Sequence, residues 1–414
     1  MNSKELIIGI KKRLKVNDIK RYYRESKRYL SISKKYAVFS GELVSFNDLN
    51  LTDIICSRNV TLFYVSPVFS SEDSSISTND MSYVQYVVHL KNATVLGDSN
   101  LIVLSSGSVL YDLPFYDVEK RYLYTDHKIL KLKDKKVTYW KGLKQTIDKA
   151  IWMGGNFSWN FYHFLYEYAI KFRKLNELNI STDISILIDQ ICLEVPQFKE
   201  IIDILNEKKY PLVGVARNGF FEVGELFYIN CPHFIPPNVK DDNAGRLKDI
   251  QFDKEGLKEL RNFLLPHASS KNFPKRIFLS REKASNWRRF NEEEVFQVCA
   301  DFGFEVVFPE KLTFCEQMGL FNQAEWIVGG SGAAFTNLLF CNNLCKAVIL
   351  YKARIPFSGF STIAQISGAN LRYITEETSA KMIQVNSIHD PFKIDVSDFR
   401  QYLKENFEIK KEIE

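Results

Sequence analysis

A chain of 414 residues that is 45% hydrophobic, 14% aromatic and 25% charged has the composition of a folded protein, neither disordered nor fibrous, and at ~150 residues per domain it divides into two or three units. Its longest apolar runs fall far short of the ~20 residues that cross a bilayer, so no transmembrane helix is expected. The net charge of +5 belongs to one end: residues 1–36 hold 12 Lys and Arg against 3 Asp and Glu, the remainder 43 against 47, which argues against a nucleic-acid partner for the body.

In residues 1–36, Leu6, Ile7, Ile10 and Leu14 recur at helical spacing among Lys11, Lys12, Arg13 and Lys15. The pattern fits a basic amphipathic helix lying on an anionic membrane surface, and it equally fits a solvated arm. The apolar stretch Leu6–Ile10 is too short for a secretory signal. Seven scattered cysteines, an odd number, suggest reduced thiols and a cytoplasmic protein, peripheral to the inner membrane face if the arm docks there.

Residues 37–147 read as a β-rich section, with strands at Tyr83–His89, Ala93–Gly97, Leu101–Leu104 and Gly107–Tyr111. From 148 to 240 the pattern becomes strand–helix alternation: Ala150–Met153, a turn Gly154-Gly155-Asn156 with Asn156 as helix cap, a long helix to Leu178, then further strands at Ile184–Ile188, Pro211–Val215 and Glu225–Ile229. Residues 236–243 read as a linker. A second alternation fills 241–380, with strands at Arg276–Ser280, Glu305–Phe308, Trp326–Val328 and Ala347–Leu350 and a helix over Ala333–Leu339. Residues 381–414 are expected to be helical and to return to the first α/β unit.

Parallel sheets bind ligands beyond the carboxyl ends of their strands, and three segments fall there. Gly329-Gly330-Ser331-Gly332-Ala333 runs from a strand into a helix, where close backbone and free N–H groups favour an anion; tight packing explains the glycines equally well. Arg281, Lys283, Arg288 and Arg289 follow another strand, with Asn291 at a helix start. They fit a guanidinium clamp for a diphosphate, or a solvated charge run. His163 and Glu167 are four apart on one helix face, as a general base and its orienting carboxylate require; a core histidine with a helix neighbour has the same spacing. The sequence contains no Asp-x-Asp pair for a metal, no Walker A loop, no zinc spacing and no Gly-x-Ser-x-Gly elbow.

Taken in order, Gly154-Gly155-Asn156 with His163-Phe164-Leu165, Ile277-Phe278-Leu279-Ser280-Arg281 with Arg289-Phe290-Asn291-Glu292, and Gly329-Gly330-Ser331-Gly332-Ala333-Ala334-Phe335-Thr336-Asn337 resemble glycosyltransferase family 61, a capsular-polysaccharide-biosynthesis type of domain. The resemblance covers residues 85–352 and is densest over 276–340. It implies an α/β, GT-B-like fold of two Rossmann-type domains facing a cleft, here preceded by the β-rich section and the basic arm. It implies inverting, metal-independent transfer, with no cofactor, from a nucleotide sugar to an oligosaccharide or polysaccharide acceptor, free or lipid-linked. Nucleotide-sugar binding then falls to Asn156, Arg281, Arg288, Arg289, Asn291, Gly330, Ser331, Gly332, Ala333 and Asn337, and catalysis to His163 and Glu167. Ser331 stands where the family usually has His, which leaves a non-catalytic nucleotide-sugar or glycan-binding relative as the alternative.

Overall fold

The computed structural model describes residues 27–50, 53–70, 78–111, 126–133, 135–235, 250–282, 288–354, 357–376 and 390–408. Most of the basic arm, the linker expected over 236–243, and Lys283 lie outside them. A helical stretch over 27–33 is described; there Arg28 donates to the His127 carbonyl at 2.7 Å, and Tyr36 beyond it stacks on Trp140 with ring centroids 4.6 Å apart.

Twelve strands build one mixed sheet: β1 Ala37–Val44, β2 Ile54–Val65, β3 Thr78–Leu96, β4 Leu101–Val103, β5 Val109–Tyr111, β6 Ile129–Lys133, β7 Lys136–Lys141, β8 Leu143–Trp152, β9 Ser185–Asp189, β10 Leu212–Val215, β11 Gly219–Ile229 and β12 Phe252–Asp253. Their order is β10-β9-β8-β11-β3-β4-β5-β1-β7-β6, with β2 paired to β3 and β12 to β2. The first four run parallel; β11 then pairs antiparallel with β3. The boundary expected at 147/148 therefore falls inside β8, and the β-rich and α/β sections share a sheet. β3 also joins the two strands expected at Tyr83–His89 and Ala93–Gly97. Lys91-Asn92 reads as a turn, but Asn92 takes φ +51° within the strand and the ladder to β11 resumes on both sides of it.

Five parallel strands, β13 Arg276–Leu279, β14 Glu305–Val307, β15 Trp326–Gly330, β16 Lys346–Tyr351 and β17 Asn370–Thr375, form a second sheet in the order β14-β13-β15-β16-β17. Its central strands are apolar along their length because both faces are covered. Ile277, Leu279, Ile327 and Ile349 join the core shared with the first sheet, whereas Phe278, Val328, Val348 and Leu350 face α5 (Glu292–Asp301) and α8 (Val396–Glu408). The described part of the C-terminal segment, 390–408, thus packs on the second sheet and not on the first unit. Arg400 pairs with Asp301 at 2.6 Å and Phe407 stacks on Trp326 at 4.6 Å, covering apolar surface that the second sheet would otherwise expose.

The helices that position the site are α1 (161–177), α2 (Gln190–Glu194), α3 (Pro196–Leu205), α4 (Lys254–Leu264), α6 (Phe314–Gln323) and α7 (Ser358–Ser367). Glu200 on α3 accepts from the Phe314 N–H at 2.6 Å and the Cys315 N–H at 3.4 Å, so a carboxylate beside the first sheet caps a helix beside the second. Glu200→Ala leaves two first-turn N–H groups without that acceptor and is expected to lower unfolding stability by about 1–2 kcal/mol in denaturant titration, with Glu200→Gln intermediate.

Candidate functional site

At the end of β8 two successive backbone N–H groups are held by two buried side chains. Gly155 donates to Asp189 Oδ2 at 2.7 Å and Asn156 to Asn100 Oδ1 at 2.8 Å, while Asp189 Oδ1 accepts from the Asp98 N–H at 2.7 Å. The approach is close enough to require glycine: a Cβ on Gly155 would stand 2.2 Å from Asn100 Oδ1, and one on Gly154 2.7 Å from Asp189 Oδ2. Because the Asn156 N–H and carbonyl serve this turn, the latter accepting from Tyr168 Oη at 2.5 Å, the helix cap expected at Asn156 moves to Asn160, whose Oδ1 accepts from the Tyr162 N–H at 3.0 Å. The chain reaches it through Phe157 at φ +63°, a left-handed conformation that costs a non-glycine residue energy and persists only where the surroundings enforce it.

Burial pushes Asp189 up to about 7 and Asp126 up to about 6; burial also lowers Lys128 to about 8. For Asp189 the folded pKa lies above the unfolded value near 3.8, so its contribution is fully present below about pH 4 and is lost as pH rises through about 7. Asp189→Asn removes that slope and turns one donor toward backbone donors. We expect the variant to be less stable, by about 1–3 kcal/mol, and the gap to be widest at acid pH; melting curves from pH 4 to 8 check this.

The helix entered through Asn160 carries His163 and Glu167. Its middle, Phe164–Ala169, is π-helical, a widening often found at functional sites. His163 Nδ1 hydrogen-bonds Glu167 Oε1, and Glu167 is buried while the His163 side chain keeps 21% of its surface exposed. With Nδ1–H donated to the carboxylate, Nε2 is the basic nitrogen, and it belongs to a ring that solvent reaches. The Phe157 ring lies 5.2 Å from the imidazole.

In the second sheet the strand order turns back between β13 and β15, the switch point at which open α/β sheets bind ligands. Arg281 follows β13 and Ser331 follows β15, and the two meet there. Arg281 Nη1 donates to the Ser331 carbonyl at 3.0 Å, and Arg288 Nη1 to Ser331 Oγ at 3.3 Å. Glycine at 332 makes room for the guanidinium, since a Cβ there would lie 2.1 Å from Arg281 Nη1; one on Gly330 would lie 2.7 Å from the Phe290 ring. Glu292 at the start of α5 accepts from the Arg281 N–H at 2.8 Å and Ser280 Oγ at 2.5 Å, locking the loop. Burial lowers the Arg281 pKa, and the charge of Arg288 adds to the effect.

A cleft of about 800 Å³ opens beside this loop, lined by Arg281, Arg289, Phe290, Asn291, Phe308 and Glu292–Glu294 among others. Several expected ligands are committed elsewhere. Asn291 starts α5, but its amide binds Glu294 at 2.8 Å and the Ile394 backbone at 3.0 and 2.8 Å, tethering the C-terminal segment. Asn337 is buried and donates to Gln317 Oε1 at 2.8 Å. The Ser331 N–H is spent on the Leu350 carbonyl at 3.0 Å. The helix expected at Ala333–Leu339 is a 3-10 segment, Ala333–Phe340, more tightly wound than an α-helix and with poorer hydrogen-bond geometry. The seat at the strand tips is thus mainly a guanidinium one.

Tyr166 Oη on α1 donates to the Thr336 carbonyl at 2.8 Å, which ties the His163 helix to the segment after the glycine loop. Sequence reasoning missed Tyr166, Asn100, Asp98, Asp189 and the anchoring role of Glu292. The cradle of Asn100 and Asp189, the latter also accepting from the Asp98 N–H, joins residues some ninety positions apart, with no local pattern. Among the described residues no group of three or more His, Cys, Asp or Glu could hold a metal ion, and no helix is long and apolar enough to cross a membrane.

Residues 161–348 match the family model glycosyltransferase 61, which takes in both His163 and the switch-point loop. No curated protein matches the chain.

Proposed function

Since the chain carries a glycosyltransferase 61 domain, which implies transfer of a sugar, we propose that it is an inverting, metal-independent enzyme of capsule or other surface-polysaccharide synthesis, GT-B-like in its arrangement. The observation that carries the reading is the meeting of Arg281 and Arg288 on Ser331 at the switch point of the parallel sheet. Guanidiniums fixed there oppose the charge that develops on a departing nucleoside diphosphate, and being fixed beforehand they need little reorganisation as the bond breaks. His163, oriented by Glu167, removes the proton from the attacking acceptor hydroxyl, which enters from the face opposite the leaving group. Ser331 occupies the position at which the family usually has His; Arg288 at its Oγ restores a positive charge beside the leaving group. Residues 1–36 would dock the enzyme on the cytoplasmic membrane face, within reach of a lipid-linked acceptor.

A thermal-shift and calorimetric screen of UDP, GDP, ADP, dTDP and CMP with their sugar conjugates tests this, because a ligand of the folded state raises its melting temperature. Absence of binding by any of them overturns the reading. The Ser331 departure favours a second one, a nucleotide-sugar-binding relative without catalysis; tight binding with no transfer or hydrolysis across a glycan panel would select it.

A further inference from the structure

Trp159 is half exposed, among the most exposed large apolar side chains among the described residues, although the adjacent Ser158 is buried, its carbonyl accepting from the buried Cys192 Sγ at 3.7 Å. Its exposure does not come from a loose loop, because the chain immediately before it is fixed by Asp189 and Asn100 and passes through the left-handed Phe157. The ring is thus held in one place on the surface by a strained, hydrogen-bonded turn. The Trp159 and Phe157 rings meet edge to face at 6.0 Å, and the Phe157 ring stands 5.2 Å from the imidazole of His163. Two rings in contact, Trp159 and Phe157, therefore lie between solvent and the imidazole of the candidate base.

We propose that Trp159 is the platform for a pyranose of the acceptor, which lies with its C–H face on that ring, passes over the edge of Phe157 and turns its hydroxyl edge toward His163 Nε2. The proposal rests on the glycosyltransferase reading and names the acceptor half of that site. A pyranose has an apolar face and a polar rim, and here one half-exposed indole stands, through Phe157, two ring contacts from a proton acceptor. Stacking the sugar fixes its distance and angle to the base, which lowers the cost of bringing hydroxyl and base together. Trp159 is thus a positioning residue and takes no part in proton transfer.

Saturation-transfer NMR with methyl α-D-glucopyranoside, methyl β-D-galactopyranoside and methyl α-D-mannopyranoside, recorded on the full chain with and without the nucleotide that stabilises it, tests the assignment. Wild type is expected to saturate the ring C–H protons of at least one glycoside; Trp159→Ala to lose the signal and Trp159→Phe to recover it, with nucleotide-induced thermal stabilisation unchanged in both. Once an acceptor is in hand, Trp159→Ala raises its KM and leaves the donor KM alone. Signals that persist in Trp159→Ala, or that are absent for all three glycosides in nucleotide-bound wild type, overturn the platform. If Trp159→Ala instead abolishes co-sedimentation with phosphatidylglycerol vesicles and leaves the sugar signals intact, the ring is a membrane contact and the proposal falls. Nucleotide that fails to stabilise wild type would count against the underlying activity, a separate outcome.

Discussion

Replacing His163 by alanine is expected to lower the rate of sugar transfer by roughly 10²–10⁴-fold when chemistry limits turnover, with nucleotide affinity unchanged. The expectation follows from geometry. Nδ1 is held by Glu167, a carboxylate buried on the next helical turn, which fixes the tautomer and leaves Nε2 as the acceptor. Glu167→Gln keeps an oxygen for Nδ1–H but removes the charge that stabilises the imidazolium, so its loss should be smaller than that of His163→Ala. Initial rates over a range of pH, with donor and acceptor varied separately, tell a base from a packing residue. A packing role would show as a lower melting temperature and a similar fall for all substrates. Full activity of His163→Ala would remove it from the chemistry.

What the sequence disclosed, and what it withheld, follows from the range of the interactions. The parallel sheet was legible because Ile277–Leu279, Trp326–Val328 and Ala347–Leu350 are short apolar runs each followed by a helical pattern, and both signals are local. His163 with Glu167 was legible for the same reason, as a spacing of four on one helix. The union of the β-rich section with the α/β section was not, since β11 finds β3 across more than a hundred residues and β-strand patterning does not name its partner. The C-terminal helix is placed wrongly from sequence because its apolar face suits any open sheet; only the apolar face of Trp326 and Val348, which it buries, decides which one it covers. The cap moved from Asn156 to Asn160 because Asn100 and Asp189 claim the earlier N–H groups, and no residue near Asn156 announces them.

Gly332→Ala is expected to weaken binding of nucleoside diphosphates by no more than the loss of Arg281 itself, although the change is one methyl group. That methyl would stand 2.1 Å from Arg281 Nη1, so the guanidinium must leave the position in which it bonds the Ser331 carbonyl at 3.0 Å. Arg281→Ala removes the same group directly. Charge-assisted hydrogen bonds contribute about 1.5–3 kcal/mol, so affinity for a diphosphate should fall about 10- to 150-fold. Arg281 and Arg288 raise one another's energy as like charges on one serine, and a diphosphate between them lowers both. The losses should therefore follow phosphate count: large for the nucleoside diphosphate, smaller for the monophosphate, near nothing for the nucleoside. Arg281→Lys keeps the charge but not the planar fork and should fall between alanine and wild type. Arg289→Ala, a change on the exposed side of the cleft, should cost less than Arg281→Ala. Titration calorimetry of the three ligands against each variant reads the series, with melting temperature as the control for folding. Equal affinity of wild type and a folded Arg281→Ala for the diphosphate would mean that these guanidiniums serve packing alone and that the phosphates, if they bind at all, are held elsewhere.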